Sequence, residues 1–254
     1  MLAGGTDVYP ANVGRPIDDD VLDLTGLPSL RAITVTDGAV RIPALATWTD
    51  LVRADLPEAF DGLKAAARSI GGVQIQNRGT LVGNLCNASP AADGLPNLMA
   101  LDARVELSSS AGRREVPVGQ FVVGNRRTIR RPDELVTAIL VPAPSSTARS
   151  NFLKLGSRAY LVISIASVAA VVDVRADGRV GSARIVVGAC SEVPMRIEAA
   201  ERRLVGEAAA SLVDAIEASD LDVLSPIDDV RGTAAYRRDE ALTLVRRAVV
   251  GLLS

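Results

Sequence analysis

Apolar and polar positions along this chain repeat with two different periods, and each period marks elements. Residues 21–25 (Val-Leu-Asp-Leu-Thr) alternate as a short strand. Ile33 and Val35, then Val40 and Ile42, flank Asp37-Gly38, the composition of a two-residue hairpin turn. Thr49 stands where a cap would open a short helix through Arg53. Pro57 opens a second helix, with Phe60, Leu63, Ala67 and Ile70 on one face and Gly71 as its stop. Residues 95–101 read as another helix. Val105 to Leu107 and Val116 to Val118 form a hairpin around Ala111-Gly112, and Glu134 to Val141 is a strand ended by Pro142.

The stretch from Pro142 to Ser150 is rich in Pro, Ser and Ala and is the best domain boundary in the chain. Beyond it, Phe152 to Leu155 is a strand, and Val168 to Val174 with Ala183 to Val187 flank Asp177-Gly178 as a hairpin. Glu198 to Val205 is an amphipathic helix ended by Gly206, and helices follow near 207–218 and 234–253. The last carries Ala241, Leu244, Val245, Ala248 and Leu252 on one side and arginines on the other.

One stretch, Gln74 to Asp93, follows neither period. Arg78 and Asp93 are its only charged residues. Gly79 and Gly83 let the backbone approach something closely. Thr80, Asn84, Asn87 and Ser89 place donors and acceptors around that approach, while Leu81, Val82 and Leu85 anchor the segment to a core. It reads as a loop that wraps a polar ligand, rather than a helix face or a strand. The plainer alternative is a Gly/Asn/Ser-rich connection between two elements. A second loop of the same character, Ala3-Gly4-Gly5-Thr6-Asp7, follows Leu2, which looks like the last residue of a strand. Two such loops can cradle a pyrophosphate through backbone N–H groups, hydroxyls and amides. Neither fits the Gly-x-Gly-x-x-Gly dinucleotide fingerprint or a Walker loop.

Composition narrows the chemistry. The chain has 254 residues, 48% of them apolar, and a net charge of -2. With no basic stripe, nucleic acid is not an expected partner. The absence of histidine removes Ser-His-Asp and Cys-His catalysis and most zinc or non-haem iron sites. Cys86 and Cys190 are too few for an iron–sulfur cluster, which needs about four thiolates, and read as buried packing thiols. No apolar run approaches the ~20 residues of a membrane span, so the chain reads as soluble and cytoplasmic. Only Lys64 and Lys154 are lysines, which singles out Lys154.

The loops carry a resemblance. Ala3-Gly4-Gly5-Thr6-Asp7, the run from Gln76 to Asn84 (Gln-Asn-Arg-Gly-Thr-Leu-Val-Gly-Asn) and Asn87-Ala88-Ser89-Pro90-Ala91-Ala92-Asp93 resemble the FAD-binding (medium) subunit of the molybdenum hydroxylases, the xanthine dehydrogenase / carbon monoxide dehydrogenase family. Arg127-Thr128, Pro132-Asp133-Glu134, Phe152-Leu153-Lys154, Val187-Gly188-Ala189-Cys190 and Tyr236-Arg237-Arg238 extend the resemblance over essentially the whole chain. Leu161-Val162-Ile163-Ser164 and Gly188-Ala189-Cys190-Ser191 look most like the xanthine-dehydrogenase type.

The resemblance implies an α+β fold. An FAD-binding domain of the vanillyl-alcohol-oxidase / p-cresol-methylhydroxylase type would span residues 1–145, and a smaller C-terminal flavoprotein domain with an antiparallel sheet and packed helices would span 150–254. It implies that Ala3, Gly4, Gly5, Thr6, Asp7 and Val8, with the turn of Thr80, Gly83 and Asn84, hold the FAD pyrophosphate. Ser89 and Asp93 would bond the ribityl and nearby oxygens. Ile70 and Val136 would lie against the flavin, although each also reads as an ordinary core residue. Lys154 would sit near the pyrimidine end of the flavin and stabilise negative charge there. Arg237 and Arg238 read as surface or subunit-contact groups.

The implied function is electron transfer. A large molybdopterin subunit would oxidise a purine-like heterocycle, an aldehyde or CO, and a small [2Fe-2S] subunit would relay electrons to FAD on this chain. NAD+ or another acceptor would take them, in a dimer of heterotrimers. A stand-alone flavin oxidase and an assembly subunit that has lost FAD are the alternatives. Two departures from the family bear on them. Val82 occupies a position where the family has glycine, which would cost ~1–3 kcal/mol if positive φ were needed. The strand and helix that precede the first glycine loop in the family are missing, which would expose a sheet edge and weaken FAD binding.

Overall fold

The structure is a computed structural model that describes residues 1–36, 38–208 and 215–253. Two antiparallel sheets organise it. The first has five strands in the order β1-β2-β7-β3-β4: β1 (Thr34–Val35), β2 (Ala39–Pro43), β3 (Arg104–Ser109), β4 (Gly112–Pro117) and β7 (Leu135–Pro142). A two-stranded ribbon, β5 (Val122–Gly124) with β6 (Arg127–Thr128), lies between β4 and β7 in sequence. The second sheet has four strands in the order β11-β10-β9-β8: β8 (Ala148–Leu155), β9 (Ala166–Val174), β10 (Val180–Gly188) and β11 (Met195–Arg196). All three hairpins expected from the alternating segments are present, with Thr34 opposite Arg41, Val105 opposite Val116 and Val172 opposite Ala183. Asp37, the first residue of the first turn, lies outside the described residues.

The helices are α1 (Val8–Ala11), α2 (Trp48–Arg53), α3 (Asp61–Ser69), α4 (Val73–Gln76), α5 (Leu81–Asn87), α6 (Gly94–Ala100), α7 (Val118–Phe121), α8 (Glu198–Leu204) and α9 (Ala234–Leu253). The four-stranded sheet is covered on both faces. Alternate residues of β9 divide between two cores: Ala169 and Val171 join the one built on α3 and α6, and Val168, Ala170 and Val172 join the one closed by α8 and α9. That is why residues 168–172 of β9 are an unbroken run of alanine and valine, a pattern typical of strands buried on both faces. The face that carries Phe152, Ala169, Val171 and Val186 packs against helices from the first half of the chain, so one apolar core runs across the Pro142–Ser150 link.

Several expectations need correction. The Gln74–Asp93 stretch is largely helical, with α4 and α5 joined by a turn. Burial of Leu81, Val82 and Leu85 against the core, and the Thr80 cap, outweigh the poor helix propensity of glycine and asparagine. The helix through Arg53 is capped by Thr47, whose hydroxyl accepts from Asp50 N while the Asp50 carboxylate accepts from Thr47 N, a reciprocal capping box. Thr49 instead bonds Asn77 at 2.6 Å. Residues 21–25 form no strand; Asp23 makes one parallel bridge with Leu2, and Val21 and Leu22 are exposed. Residues 209–214, the middle of the helix expected near 207–218, lie outside the described residues. Arg237 is a core residue, 3% exposed: its guanidinium donates to the carbonyls of Ile165 and Ala189 and pairs with Asp229 at 2.7 Å. The Arg231 backbone N–H, with that pairing, holds the Asp229 carboxyl down at about 2. Arg238 donates to the Leu224 carbonyl at 2.8 Å.

Candidate functional site

The first glycine loop and the turn before α5 lie against each other, backbone on backbone. A β-carbon on Gly4 would stand 1.9 Å from the Arg78 carbonyl oxygen, so only glycine fits there. Gly5 has φ +71 and is backed by the Tyr9 ring. The second turn is tied to α2: Trp48 N donates to Gly79 O at 3.1 Å, Leu81 N donates to Ala46 O at 3.3 Å, and Thr47 bridges Thr80. Thr80 caps α5, its hydroxyl accepting from Gly83 N at 3.0 Å.

These two loops form the wall of a cavity of about 510 Å³, within the usual range for a small-molecule or cofactor site. Ala3, Gly4, Gly5, Thr6, Asp7, Val8, Ile70, Thr80, Gly83, Asn84 and Val136 all line it. Ile70 ends α3, and Val136 reaches the cavity from β7. Among the described residues, the backbone N–H groups of Ala3 through Val8 have no protein acceptor. The Asn84 side-chain oxygen is buried with no partner. Unpaired donors on one wall and apolar Leu24, Ile75, Leu135 and Val136 elsewhere make a site for a ligand with an anionic part and a flat apolar part. A dinucleotide that ends in an aromatic ring system has that division, so the residues present fit FAD.

Ser89, Asp93 and Lys154 are not on the cavity wall. The Ser89 hydroxyl accepts from Ala91 N in a local turn. Asp93 is buried and makes an ion pair with Lys154 Nζ at 2.8 Å, and its other oxygen accepts from Ser164 Oγ at 2.6 Å. Lys154 Nζ also donates to Val162 O at 3.2 Å. The pair thus joins the start of α6 to β8 of the second sheet.

Sequence reasoning passed over Trp48 and Arg130, which also line the cavity, as do Cys86 and, from the ligand-wrapping stretch, Gly79 and Asn87. The lone tryptophan was a signal for Trp48; nothing in the pattern around Arg130 pointed to a cavity. Cys86 is not a packing residue: it is accessible at the cavity wall, yet the atoms crowded around it push its thiol up to about 11. Cys190 is buried, as expected, and burial likewise raises it to about 11. Val82 sits inside α5, buried and with no positive φ, so valine takes this position without backbone strain.

The family profile described as "FAD binding domain in molybdopterin dehydrogenase" matches residues 1–144, and "CO dehydrogenase flavoprotein C-terminal domain" matches residues 151–252. The chain belongs to the FAD-binding medium subunits of the molybdenum hydroxylase family. It is 31% identical to the putative xanthine dehydrogenase FAD-binding subunit XdhB of Escherichia coli, over 98% of this chain and 87% of that one. It is 33% identical to the nicotinate dehydrogenase FAD-subunit of Eubacterium barkeri, over 81% of this chain and 71% of that one. A structure of reconstituted CO dehydrogenase from Oligotropha carboxidovorans superposes with a TM-score of 0.89 at 29% identity, covering 98% of this chain and 87% of that one. This subunit of an oxidoreductase therefore has the two-part α/β fold of its relatives. No helix among its described residues is long and apolar enough to cross a membrane, and no group of three or more His, Cys, Asp or Glu among them is placed to hold a metal ion.

Proposed function

We propose that the chain is the electron-transfer flavoprotein of a molybdenum hydroxylase complex, with an FAD-binding domain over residues 1–145 and a C-terminal domain over 150–254. Bound FAD supplies two-electron redox chemistry between the [2Fe-2S] clusters of a small partner subunit and NAD+ or another acceptor. A large molybdopterin subunit oxidises the substrate, a purine-like heterocycle, an aldehyde or CO, and the assembly is a dimer of heterotrimers. The relatives support the multi-subunit setting: similar chains are named medium chain of a carbon monoxide dehydrogenase and subunit alpha of a dehydrogenase complex.

The observation that carries this reading is the row Ala3 to Val8, which lines the cavity and whose backbone N–H groups have no protein acceptors among the described residues. These amides and the Thr80–Asn84 turn bind the pyrophosphate. Ile70 and Val136 flank the apolar ring system and keep water from it. Asp93 and Lys154, expected at the cofactor, act on this geometry by holding the start of α6 against β8.

The test is a visible absorption spectrum of the purified chain, followed by chromatography of flavin released on denaturation. FAD close to one per chain is expected. A chain that stays colourless after incubation with excess FAD, while correctly folded by circular dichroism, would sink the proposal.

A further inference from the structure

Arg130 is the basic side chain on the cavity wall. Its Nη1 donates to the backbone carbonyls of Arg131 at 3.0 Å and Glu134 at 2.8 Å. Those bonds fix the guanidinium, yet among the described residues no carboxylate lies within ion-pair distance of it. Of the two acids nearest in sequence, Asp133 forms no ion pair among the described residues and Glu134 is already taken. Arg114 holds both of its oxygens, at 2.6 and 2.9 Å, and Arg131 N donates to it at 2.8 Å. Glu134 is thus neutralised by Arg114, and Arg130 is left without an ion-pair partner among the described residues.

That charge has a use in this cavity. A pyrophosphate brings about two negative charges, and backbone N–H groups solvate them without adding net positive charge. Asp7 is the acidic side chain on the wall. Lys154, the cation suggested by family resemblance, is bound to Asp93 and does not reach the wall. We infer that Arg130 is a further cofactor-binding residue, the cation that balances the charge of a bound flavin dinucleotide. This rests on the FAD-binding reading above. Anchoring also favours it: Arg130 lies in the connection between β6 and β7, and its two bonds to backbone carbonyls hold the guanidinium there.

The experiment measures FAD binding to the full chain by flavin fluorescence, at low and high NaCl, for the wild type, Arg130→Gln and Arg130→Lys. For the wild type, raising NaCl from about 50 to about 500 mM is expected to weaken binding severalfold, because salt screens the Arg130 charge. Arg130→Gln is expected to bind about tenfold more weakly at low salt and to lose most of that salt dependence, while Arg130→Lys, which keeps the charge, stays within about threefold of wild type. Two results overturn the inference: Arg130→Gln binding like wild type with an unchanged salt response, or Arg130→Lys as weak as Arg130→Gln, which would reduce the side chain to a brace for two carbonyls. If Arg130→Gln fails to fold, a flat salt response of the wild type overturns the inference without any variant. A wild-type chain that binds no FAD at either salt defeats the functional reading itself, a different outcome from any of these.

Discussion

The two ends of the Gln74–Asp93 stretch use polar groups in opposite ways. Around Thr80 and Asn84 the chain lines a cavity, and polar groups there lack protein partners among the described residues: the amides of Ala3 to Val8, on the same wall, have no acceptor, and the Asn84 oxygen, buried behind the wall, is orphaned. Around Asp93 every polar group is matched, carboxylate to ammonium, carboxylate to hydroxyl, ammonium to carbonyl. Burying a polar group without a partner costs free energy. A folded chain keeps such groups where a ligand completes them, and pairs them where they serve the fold. The first end is therefore built to bind and the second to join.

Breaking the joining end should have the largest effect. Asp93→Ala leaves Lys154 largely buried without its counter-ion, and such a loss typically costs about 3–5 kcal/mol. Urea denaturation of the apo chain should show a lower midpoint with an unchanged slope. The double variant Asp93→Ala/Lys154→Met should recover part of that loss, because no unpaired charge remains. A double variant as unstable as the single would mean that packing around Asp93, rather than its charge, holds the start of α6 against β8.

A smaller effect is expected at the binding end. Gly4→Ala places a methyl group where the Arg78 carbonyl stands 1.9 Å away, so the two loops must move apart. FAD affinity should fall by about tenfold or more, equivalent to roughly 1.4 kcal/mol, with circular dichroism little changed. Full affinity in this variant would show that the contact between the loops does not shape the site.

The mildest probe leaves the sequence alone. Cys86 is accessible at the cavity wall and Cys190 is buried, so a thiol reagent should label Cys86 first and Cys190 only on unfolding. With the Cys86 thiol raised to about 11, labelling should be slow at neutral pH and speed up as pH rises and thiolate forms. FAD at about ten times its dissociation constant should slow it by about tenfold. Labelling that ignores FAD would place the cofactor away from this wall.

Much of this was legible beforehand, and the misses have physical causes. The hairpins were readable because Asp-Gly turns and alternating apolar residues are local signals, and the buried side of α9 followed from helical spacing. The α5 helix was missed because glycine and asparagine lower helix propensity, while the burial that overrides this is not local. The cap of α2 was misplaced by two residues because Thr47 and Thr49 are equally good caps by type, and only the Asp50 carboxylate chooses between them. Arg237 looked like a surface group because nothing in its neighbourhood reveals the carbonyls of Ile165 and Ala189, far away in sequence.

By itself the sequence determined the elements with a local cause, the two glycine loops and, through their motifs, the family. Only the tertiary structure decided which polar residues face the cavity and which face each other. Asp93, Lys154, Arg130 and Cys86 are chemically informative residues whose roles turn on partners distant along the chain. An ion pair between positions 93 and 154, or an arginine left without one at 130, is settled by how β7 and β8 bring segments together, and no local period or composition carries that information.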